Sequence, residues 1–239
     1  MNADDFGLTA SVNAGVERGF LDGVVTSASL MTARPAAAAA ADFARRHPAL
    51  SVGLHLDLGE WVCRDGRWQL SYEVVDPGDP LAVQAEVERQ LAAFRDLLGR
   101  DPTHVDSHQH VHLGEPARGI VRTLAESIDV PVRRLDRRVR FCGDFYGQSG
   151  TGTPLPSLIT VESLLTLVDG LPAGCNELGC HPAAGSVPES VYDRERSVEL
   201  ATLTDPRVVE ALREGPTRLA SFHELGDPER VAPILTGAP

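Results

Sequence analysis

Short apolar runs alternate with longer amphipathic segments along most of the chain. Residues 50–56 form an apolar run typical of a strand buried on both faces, and residues 24–31 form a second run with strand character. Residues 36–46, between them, predict a helix. In residues 81–98 apolar side chains recur every three or four positions and Gly99 follows, so we predict an amphipathic helix that ends there. This alternation favours an α/β fold with a mostly parallel sheet or barrel.

The same pattern continues towards the end of the chain, interrupted by two stretches that predict irregular structure. These stretches are residues 60–80, which contain both tryptophans, and residues 134–156. The further predicted strands are residues 103–107, 130–133, 176–180 and 219–222, and the further predicted helices are residues 116–126, 160–169, 192–203 and a last helix that begins at Asp205 and Pro206. No internal repeat or linker divides the sequence, so we expect one domain over residues 1–239.

The composition adds a charge imbalance and a missing residue type. The chain has 239 residues and a net charge of −12, and all of its 22 basic residues are arginine. Because an acidic chain repels polyphosphate, we expect no nucleic-acid partner. The absence of lysine excludes Schiff-base lysines, pyridoxal-phosphate enzymes and the phosphate-binding loop that requires a lysine.

The cysteines and the N-terminal segment exclude several further classes. Cys63, Cys142, Cys175 and Cys180 lack the paired spacing of a structural zinc site and are too few for a disulfide framework, so we expect free thiols. The chain opens on polar residues and contains no run of about 18 apolar residues. We therefore expect neither a signal peptide nor a membrane span, and a cytoplasmic location.

Side chains of the kind that bind metal ions lie at the junctions between predicted strands and loops. Asp4 and Asp5 open the chain, His55 lies within GLHLDL, His108 within HVDSHQHVH and His181 within ELGCHP. The ends of parallel strands gather at one rim of an α/β barrel, so we expect these side chains to converge there. Two imidazoles and one carboxylate form a metal-ligand set that leaves open positions for water and substrate.

Each of these residues has a plainer interpretation when it is taken alone. An Asp pair beside a glycine is usually a turn, and a lone histidine such as His55 on an apolar strand is often a hydrogen-bonded core residue. His181, followed by proline, can be an ordinary loop residue. The functional interpretation depends on all of these junctions occurring in one chain.

The segment 104–112 has His or Asp at every second position. Five such side chains cannot all enter a packed barrel from one strand, so we predict that the strand ends near Ser107 and leaves His108 at its mouth. His110 and His112 would then lie in the following loop, where they either orient ligands or are solvated. A surface metal-scavenging tract is the alternative for this segment.

Two other features leave alternatives open. Residues 133–140 contain Arg133, Arg134, Arg137, Arg138 and Arg140, which either receive a phosphate or carboxylate of a substrate or form a solvated, ion-paired loop. Trp61 and Trp68 either stack on a sugar ring or cover the core.

Four segments carry a resemblance to a known family. They are NADDFGLTASVNAGVERGFLDGVVTSASLM, SVGLHLDL, THVDSHQHVHLGEP and ELGCHPA, in this order from Asn2 onwards. Together they resemble the YdjC-like carbohydrate deacetylases, which include chitooligosaccharide deacetylase and the hopanoid-biosynthesis-associated deacetylases. The resemblance extends to about Arg196 and therefore covers most of the chain.

This resemblance implies a distorted TIM-type (β/α) barrel and a metal-dependent hydrolase of carbohydrate metabolism that removes the acetyl group from an N-acetylated amino sugar. Asp5, His55 and His108 are similar to the metal ligands of the family, Asp4 is similar to its catalytic base, and His181 lies where an acid is expected. The mixed N and O ligands suit Zn²⁺ first, with Mg²⁺, Ni²⁺ or Co²⁺ as alternatives. The expected partner is a small-molecule N-acetyl amino sugar, and self-association stays open.

The sequence departs from the family where Met1 directly precedes Asn2, since family members usually have a short apolar strand there. We therefore expect a truncated first strand and unpaired edges on residues 24–31 and 219–222. Two rival functions stay open: a non-haem Fe(II) oxygenase, which shares the two-His, one-carboxylate set, and a sugar- or metal-binding relative without turnover.

Overall fold

The computed structural model describes residues 1–64, 66–188 and 190–225. Within these residues the strands are β1 (Asn2–Phe6), β2 (Ser27–Leu30), β3 (Ser51–Leu56), β4 (Gly59–Arg64), β5 (Arg67–Glu73), β6 (Val105–Ser107), β7 (Arg140–Cys142) and β8 (Asn176–Cys180). The helices are α1 (Ala10–Leu21), α2 (Ala37–Arg46), α3 (Pro80–Leu98), α4 (Ala117–Ser127), α5 (Val161–Asp169), α6 (Arg194–Leu203) and α7 (Pro206–Glu214). Short 3₁₀ helices cover His108–Leu113, Pro156–Ile159 and Phe222–Glu224.

Six parallel strands form one curled sheet in the order β6-β3-β2-β1-β8-β7. An isolated parallel bridge between Val105 and Val132 extends the edge at β6. Among the described residues the two outer strands, β6 and β7, do not pair with each other, so the sheet is a half-barrel. The predicted α/β fold of the distorted barrel type is confirmed.

The first strand is present, because Asn2–Phe6 itself forms it, so the expectation that a gap lies beside residues 24–31 is wrong. β1 lies between β2 and β8, with Asn2 beside Ser27 on one side and Gly179 on the other. Ala3 and Phe6 are fully buried and supply apolar contacts to the core. The polar residues of this strand conceal its character in the sequence, since they are buried as well.

The expected unpaired edges are therefore absent from β2, which pairs with β1 and β3. The predicted strand at residues 219–222 is wrong too. This segment lies at the amino end of β2, where the carbonyl of Ala220 accepts a hydrogen bond from Thr26 Oγ1 at 2.7 Å. It then enters the 3₁₀ helix Phe222–Glu224.

Local signals explain most helix boundaries. Asp79 caps α3 and Gly99 ends it with φ 67°, while Thr160 and Asp205 cap α5 and α7 with their side chains. Three further segments differ from prediction. Residues 60–80 contain most of the antiparallel hairpin β4–β5, residues 134–156 contain strand β7, and the predicted strand 130–133 is reduced to the bridge at Val132.

The sequence pattern does not predict α1, which contains two buried glycines that lower helix propensity. Gly15 packs against the loop after β8, and a Cβ there would lie 2.4 Å from the Cα of Ala183. The glycine therefore lets the helix approach the loop that carries His181.

Two other sequence expectations can be compared with the described residues. The four cysteines are free, as expected. None of the helices in the described part of the chain combines the length and the apolar character that crossing a bilayer requires.

Candidate metal centre

A cavity of about 640 Å³ lies at the carboxyl ends of the parallel strands. Asp5, His55, His108 and His181 line it, as does Tyr72 of the hairpin β4–β5. The predicted convergence of these side chains is therefore found, and the volume lies within the range of small-molecule sites.

An irregularity in β1 brings both aspartates to the cavity. In a regular strand, neighbouring side chains point to opposite faces of the sheet. Here Asp5 has φ 63° and the pairing with β2 shifts register between Ala3 and Phe6. A positive φ is uncommon for a residue other than glycine, and such strain is typical of functional sites. Both Asp4 and Asp5 line the cavity as a result.

Asp5, His55 and His108 present ligand atoms that lie within 4.8 Å of one another. Asp5 Oδ1 is 3.4 Å from His55 Nε2 and 3.1 Å from His108 Nδ1. The other ring nitrogen of His55, Nδ1, lies 2.7 Å from Asp106 Oδ1. A carboxylate behind a metal-binding histidine is a common arrangement, because it fixes the orientation and tautomer of the ring.

The charges around this cluster favour a cation. Three buried aspartates lie in and around it, Asp4, Asp5 and Asp106, against two buried guanidinium groups, Arg133 and Arg196. Burial raises the pKa of Glu177 to about 7 and that of Glu199 to about 8, so these two carboxyl groups add little further negative charge at neutral pH. Burial alone would lower the pKa of His55, but Asp106 and Asp5 raise this pKa to about 10. Burial likewise disfavours the charged form of His108, whereas Asp5 and Glu60 raise its pKa to about 9. The donor set and the excess negative charge fit a divalent ion, whose binding would displace these protons.

A second overlapping group, Asp4, His55 and Asp106, also has metal-compatible distances. However, carboxylate oxygens of Asp4 and Asp106 in this group are already bound by Arg133. Arg133 contacts both oxygens of Asp4, at 2.6 and 2.7 Å, and Asp106 Oδ2 at 2.7 Å. The group that contains Asp5 is therefore the better candidate.

Arg133 fixes the orientation of Asp4 beside the candidate metal ligands. It is buried, and its Nε also donates a hydrogen bond to Glu177 Oε1 at 2.8 Å. Burial would raise the pKa of Asp4, but the charge and hydrogen bonds of Arg133 outweigh it and lower the pKa. Asp4 is thus held as a carboxylate with a fixed orientation.

His181 faces Asp4 across the cavity floor, with its Nε2 3.9 Å from Asp4 Oδ2. Its backbone N–H donates to Glu199 Oε2, and Tyr192 donates its hydroxyl to the other oxygen of Glu199. His181 Nδ1 is buried without a hydrogen-bond partner among the described residues and lies 3.9 Å from Glu199 Oε1. Burial lowers the pKa of His181 to about 4, so the imidazole is neutral in the free protein.

The other histidines of the segment 104–112 are structural or peripheral. His104 stacks on Phe222 and contacts Ser29 Oγ at 3.0 Å. His112 is fixed between Ser107 Oγ and the carbonyl of Arg133, at 2.6 and 3.0 Å. His110 lines the cavity rim at 5.3 Å from the ring of Phe141. The segment is therefore not a surface tract, and strand β6 ends at Ser107 as predicted.

The structure also shows how exposed the arginines of residues 133–140 and Trp68 are. Arg133 is an internal partner of Asp4, whereas Arg134, Arg137, Arg138 and Arg140 are exposed, so the run does not act as one unit. Trp68 is 60% exposed and therefore does not cover the core. Its hairpin contributes Glu60 and Tyr72 to the cavity wall instead.

Sequence reasoning misses the partners of the candidate ligands. Asp106 lies within the histidine-rich segment and Arg133 begins the basic run, so both carry a weak signal. Arg196 and Glu199 lie far along the chain on α6 without any motif of their own. Only the fold brings Arg196 Nη2 to 2.6 Å from Asp5 Oδ2.

Comparison with known proteins gives consistent results. A family model described as YdjC-like protein matches residues 1–214. The chain is 35% identical over 248 residues to a carbohydrate deacetylase of Geobacillus stearothermophilus, with 94% of this chain and 96% of that protein covered. It is 31% identical over 262 residues to a chitooligosaccharide deacetylase of Serratia marcescens, with 94% and 98% covered. The crystal structure of a proposed cellobiose-phosphate cleavage protein from Enterococcus faecalis V583 matches with a TM-score of 0.76 at 26% identity, covering 94% of this chain and 97% of that one.

Proposed function

This chain belongs to the YdjC-like protein family, as its sequence motifs predict, and we propose that it is a metal-dependent hydrolase that removes the acetyl group from an N-acetylated amino sugar. The observation that carries this proposal is the cluster of Asp5, His55 and His108 beside the pair Asp4 and His181, on the floor of one cavity. The names of the two curated relatives support the choice of reaction.

Asp5, His55 and His108 would hold the ion. A bound divalent ion polarises the acetyl carbonyl and makes a water molecule more acidic, which are two of the three requirements of amide hydrolysis. Two imidazoles and one carboxylate favour Zn²⁺, with Mg²⁺, Ni²⁺ and Co²⁺ as alternatives.

Asp4 would act as the general base. Its carboxylate is adjacent to the cluster but is bound through both oxygens by Arg133, which leaves it oriented and ionised. A carboxylate in this position accepts the proton that the attacking water loses.

His181 would supply the proton that the leaving nitrogen requires. Its Nε2 is 3.9 Å from Asp4 Oδ2, which is beyond direct hydrogen-bond distance, so a proton held on Asp4 would reach His181 Nε2 through a bridging water before it passes to the amine. Glu199 holds the backbone N–H of His181, and the ring lies between Tyr146 and Tyr192 with centroid distances of 5.3 and 5.5 Å. These contacts position the backbone and the ring of His181 beside Asp4.

Aromatic side chains in the cavity wall support a sugar as substrate. Tyr146 and Tyr192 stack with a centroid separation of 4.4 Å, and Tyr72 and Phe141 lie elsewhere in the wall. Sugar rings carry apolar C–H faces that pack against such surfaces, while their hydroxyls need polar partners such as Glu60.

The proposal is tested by acetate release from a panel of N-acetylated monosaccharides and oligosaccharides, under argon and without a 2-oxo acid. We expect release of one acetate and one free amine per turnover from at least one sugar. Acetate release that requires oxygen would support the oxygenase alternative, and tight sugar binding without any acetate would support a non-catalytic relative.

A further inference from the structure

We propose that Arg196 is a positioning residue of the metal centre, which holds Asp5 so that only its Oδ1 is available to the ion. The inference rests on the proposed function insofar as it requires an ion between Asp5, His55 and His108. It concerns how many ligand atoms the protein supplies, and therefore how many positions stay open for water and substrate.

The two oxygens of Asp5 have different partners. Oδ1 faces His55 Nε2 and His108 Nδ1, at 3.4 and 3.1 Å. Oδ2 accepts a hydrogen bond from Arg196 Nη2 at 2.6 Å. Carboxylates bind metals through one or both oxygens, so a charged donor on Oδ2 selects the one-oxygen mode.

The guanidinium is itself held in place. Arg196 is 3% exposed, and its Nε donates to the carbonyl of Tyr192 at 2.8 Å. Its own carbonyl accepts a hydrogen bond from Ala183 in the loop after His181, at 3.2 Å. The orientation of Asp5 is therefore tied to helix α6 and to the His181 loop.

Neutralisation of nearby buried carboxylates does not by itself explain the contacts of Arg196. Arg133 does neutralise several carboxylates, since its guanidinium contacts Asp4, Asp106 and Glu177. Arg196 instead directs one nitrogen to one oxygen of Asp5, and its buried Nη1 has no hydrogen-bond partner among the described residues.

Loss of this contact has a specific consequence. Without Arg196, Oδ2 of Asp5 is free to turn towards the ion, and the positive charge that opposes a cation is gone. We therefore expect a variant to bind the ion at least as tightly as the wild type, but with an additional ligand oxygen and one open position fewer.

The test is a Co²⁺ titration of the metal-free full-length chain, followed by its visible absorption spectrum and by kcat and KM for acetate release. For Arg196→Gln we expect a Kd for Co²⁺ equal to or below that of the wild type and a weaker visible band, because absorption by Co²⁺ falls as its coordination number rises. The value of kcat should fall by about 10- to 100-fold, with a smaller change in KM. Arg194→Gln, an exposed arginine on the same helix, is the matched control and should match the wild type in all three measurements.

Because Arg196→Gln removes the partner of a buried carboxylate and can impair folding, Arg196→Lys undergoes the same measurements. Lysine keeps the positive charge, but its single ammonium group lacks the forked geometry by which the guanidinium contacts both Asp5 and the Tyr192 carbonyl. The spectrum and kcat of the Lys variant should therefore lie between those of the wild type and the Gln variant.

An unchanged Co²⁺ spectrum in folded Arg196 variants would overturn the inference, as would loss of Co²⁺ binding, which would indicate a purely structural role. A wild-type chain that binds no Co²⁺ or releases no acetate would contradict the proposed function instead, so the two failures are distinguishable.

Discussion

Asp4 and Asp5 are neighbours in the sequence, but each has its own arginine. Arg133 contacts both oxygens of Asp4, whereas Arg196 contacts one oxygen of Asp5 and leaves the other to the two histidines. This difference in partners, and not any difference in residue type, supports the proposal that Asp4 is the base and Asp5 the metal ligand.

Asp4→Asn tests this division. The variant keeps Asp5, His55 and His108, so we expect it to bind one divalent ion while acetate release falls by roughly 10²- to 10⁴-fold, because only the proton acceptor is lost. Elemental analysis and initial rates measure the two quantities.

Two further variants serve as its controls. Asp5→Asn and the double variant His55→Ala/His108→Ala should lose the ion. If Asp4→Asn emptied the site while Asp5→Asn kept its metal, the two roles would have to be exchanged.

Glu199 gives a prediction about stability and pH. It is fully buried, and burial raises its pKa from 4.5 to about 8, against the opposing hydrogen bonds from the His181 N–H and Tyr192. Between these two values the folded chain retains a proton that the unfolded chain releases. The contribution to the free energy of unfolding is therefore complete below pH 4.5 and is lost as the pH rises through about 8.

Glu199→Gln stays neutral, so the decrease in its free energy of unfolding between pH 5 and 8.5 should be smaller than in the wild type. Urea unfolding of the metal-free protein measures this decrease. Glu126→Gln, on the exposed surface of α4, is the matched control, and an identical decrease in the Glu199 variant would refute the assignment.

At the scale of elements, predictability follows the hydrophobic pattern. β3 is almost continuously apolar and the long helix α3 has apolar residues at every third or fourth position, and both match their predicted ranges closely. β1 is not predicted, because polar side chains that face the site replace the apolar residues of an ordinary buried strand. The hairpin β4–β5 is missed for a different reason. Its strand β5 alternates polar and apolar residues from Arg67 to Glu73, but the two tryptophans and the glycines and prolines of residues 60–80 favour an irregular stretch.

Gln109, directly after His108, joins the hairpin to the segment that follows strand β6. Gln109 accepts a hydrogen bond from the Trp61 N–H at 2.9 Å and donates one to the Trp61 carbonyl at 2.7 Å. Gln109→Ala removes both bonds, each worth about 0.5–1.5 kcal/mol, so hydrogen exchange at the Trp61 amide should accelerate by about tenfold.

Exchange in β2 should not change in this variant. Gln69→Ala, on the exposed strand β5, is the matched control and should leave the Trp61 amide unaffected. Unaltered exchange at Trp61 in the Gln109 variant would show that the hairpin is held by other contacts.

For the whole molecule, the sequence predicts the candidate ligands but not the groups that control them. The ligands lie at strand ends, and the parallel topology that the pattern predicts is sufficient to bring strand ends together. Arg133 follows the bridge to β6 at Val132, whereas Arg196 and Glu199 lie on α6, so their positions depend on how separate elements pack together. Such packing has no local signature in the sequence.

The proposed activity requires one ion bound between Asp5, His55 and His108. The most direct test adds Zn²⁺ stepwise to chelator-treated protein and follows acetate and free amine by NMR from the best N-acetylated sugar. We predict that the rate rises in proportion to bound metal and stops rising at one ion per chain. Acetate release that continues without metal, or one ion bound between Asp5, His55 and His108 with no acetate from any sugar, would contradict the account.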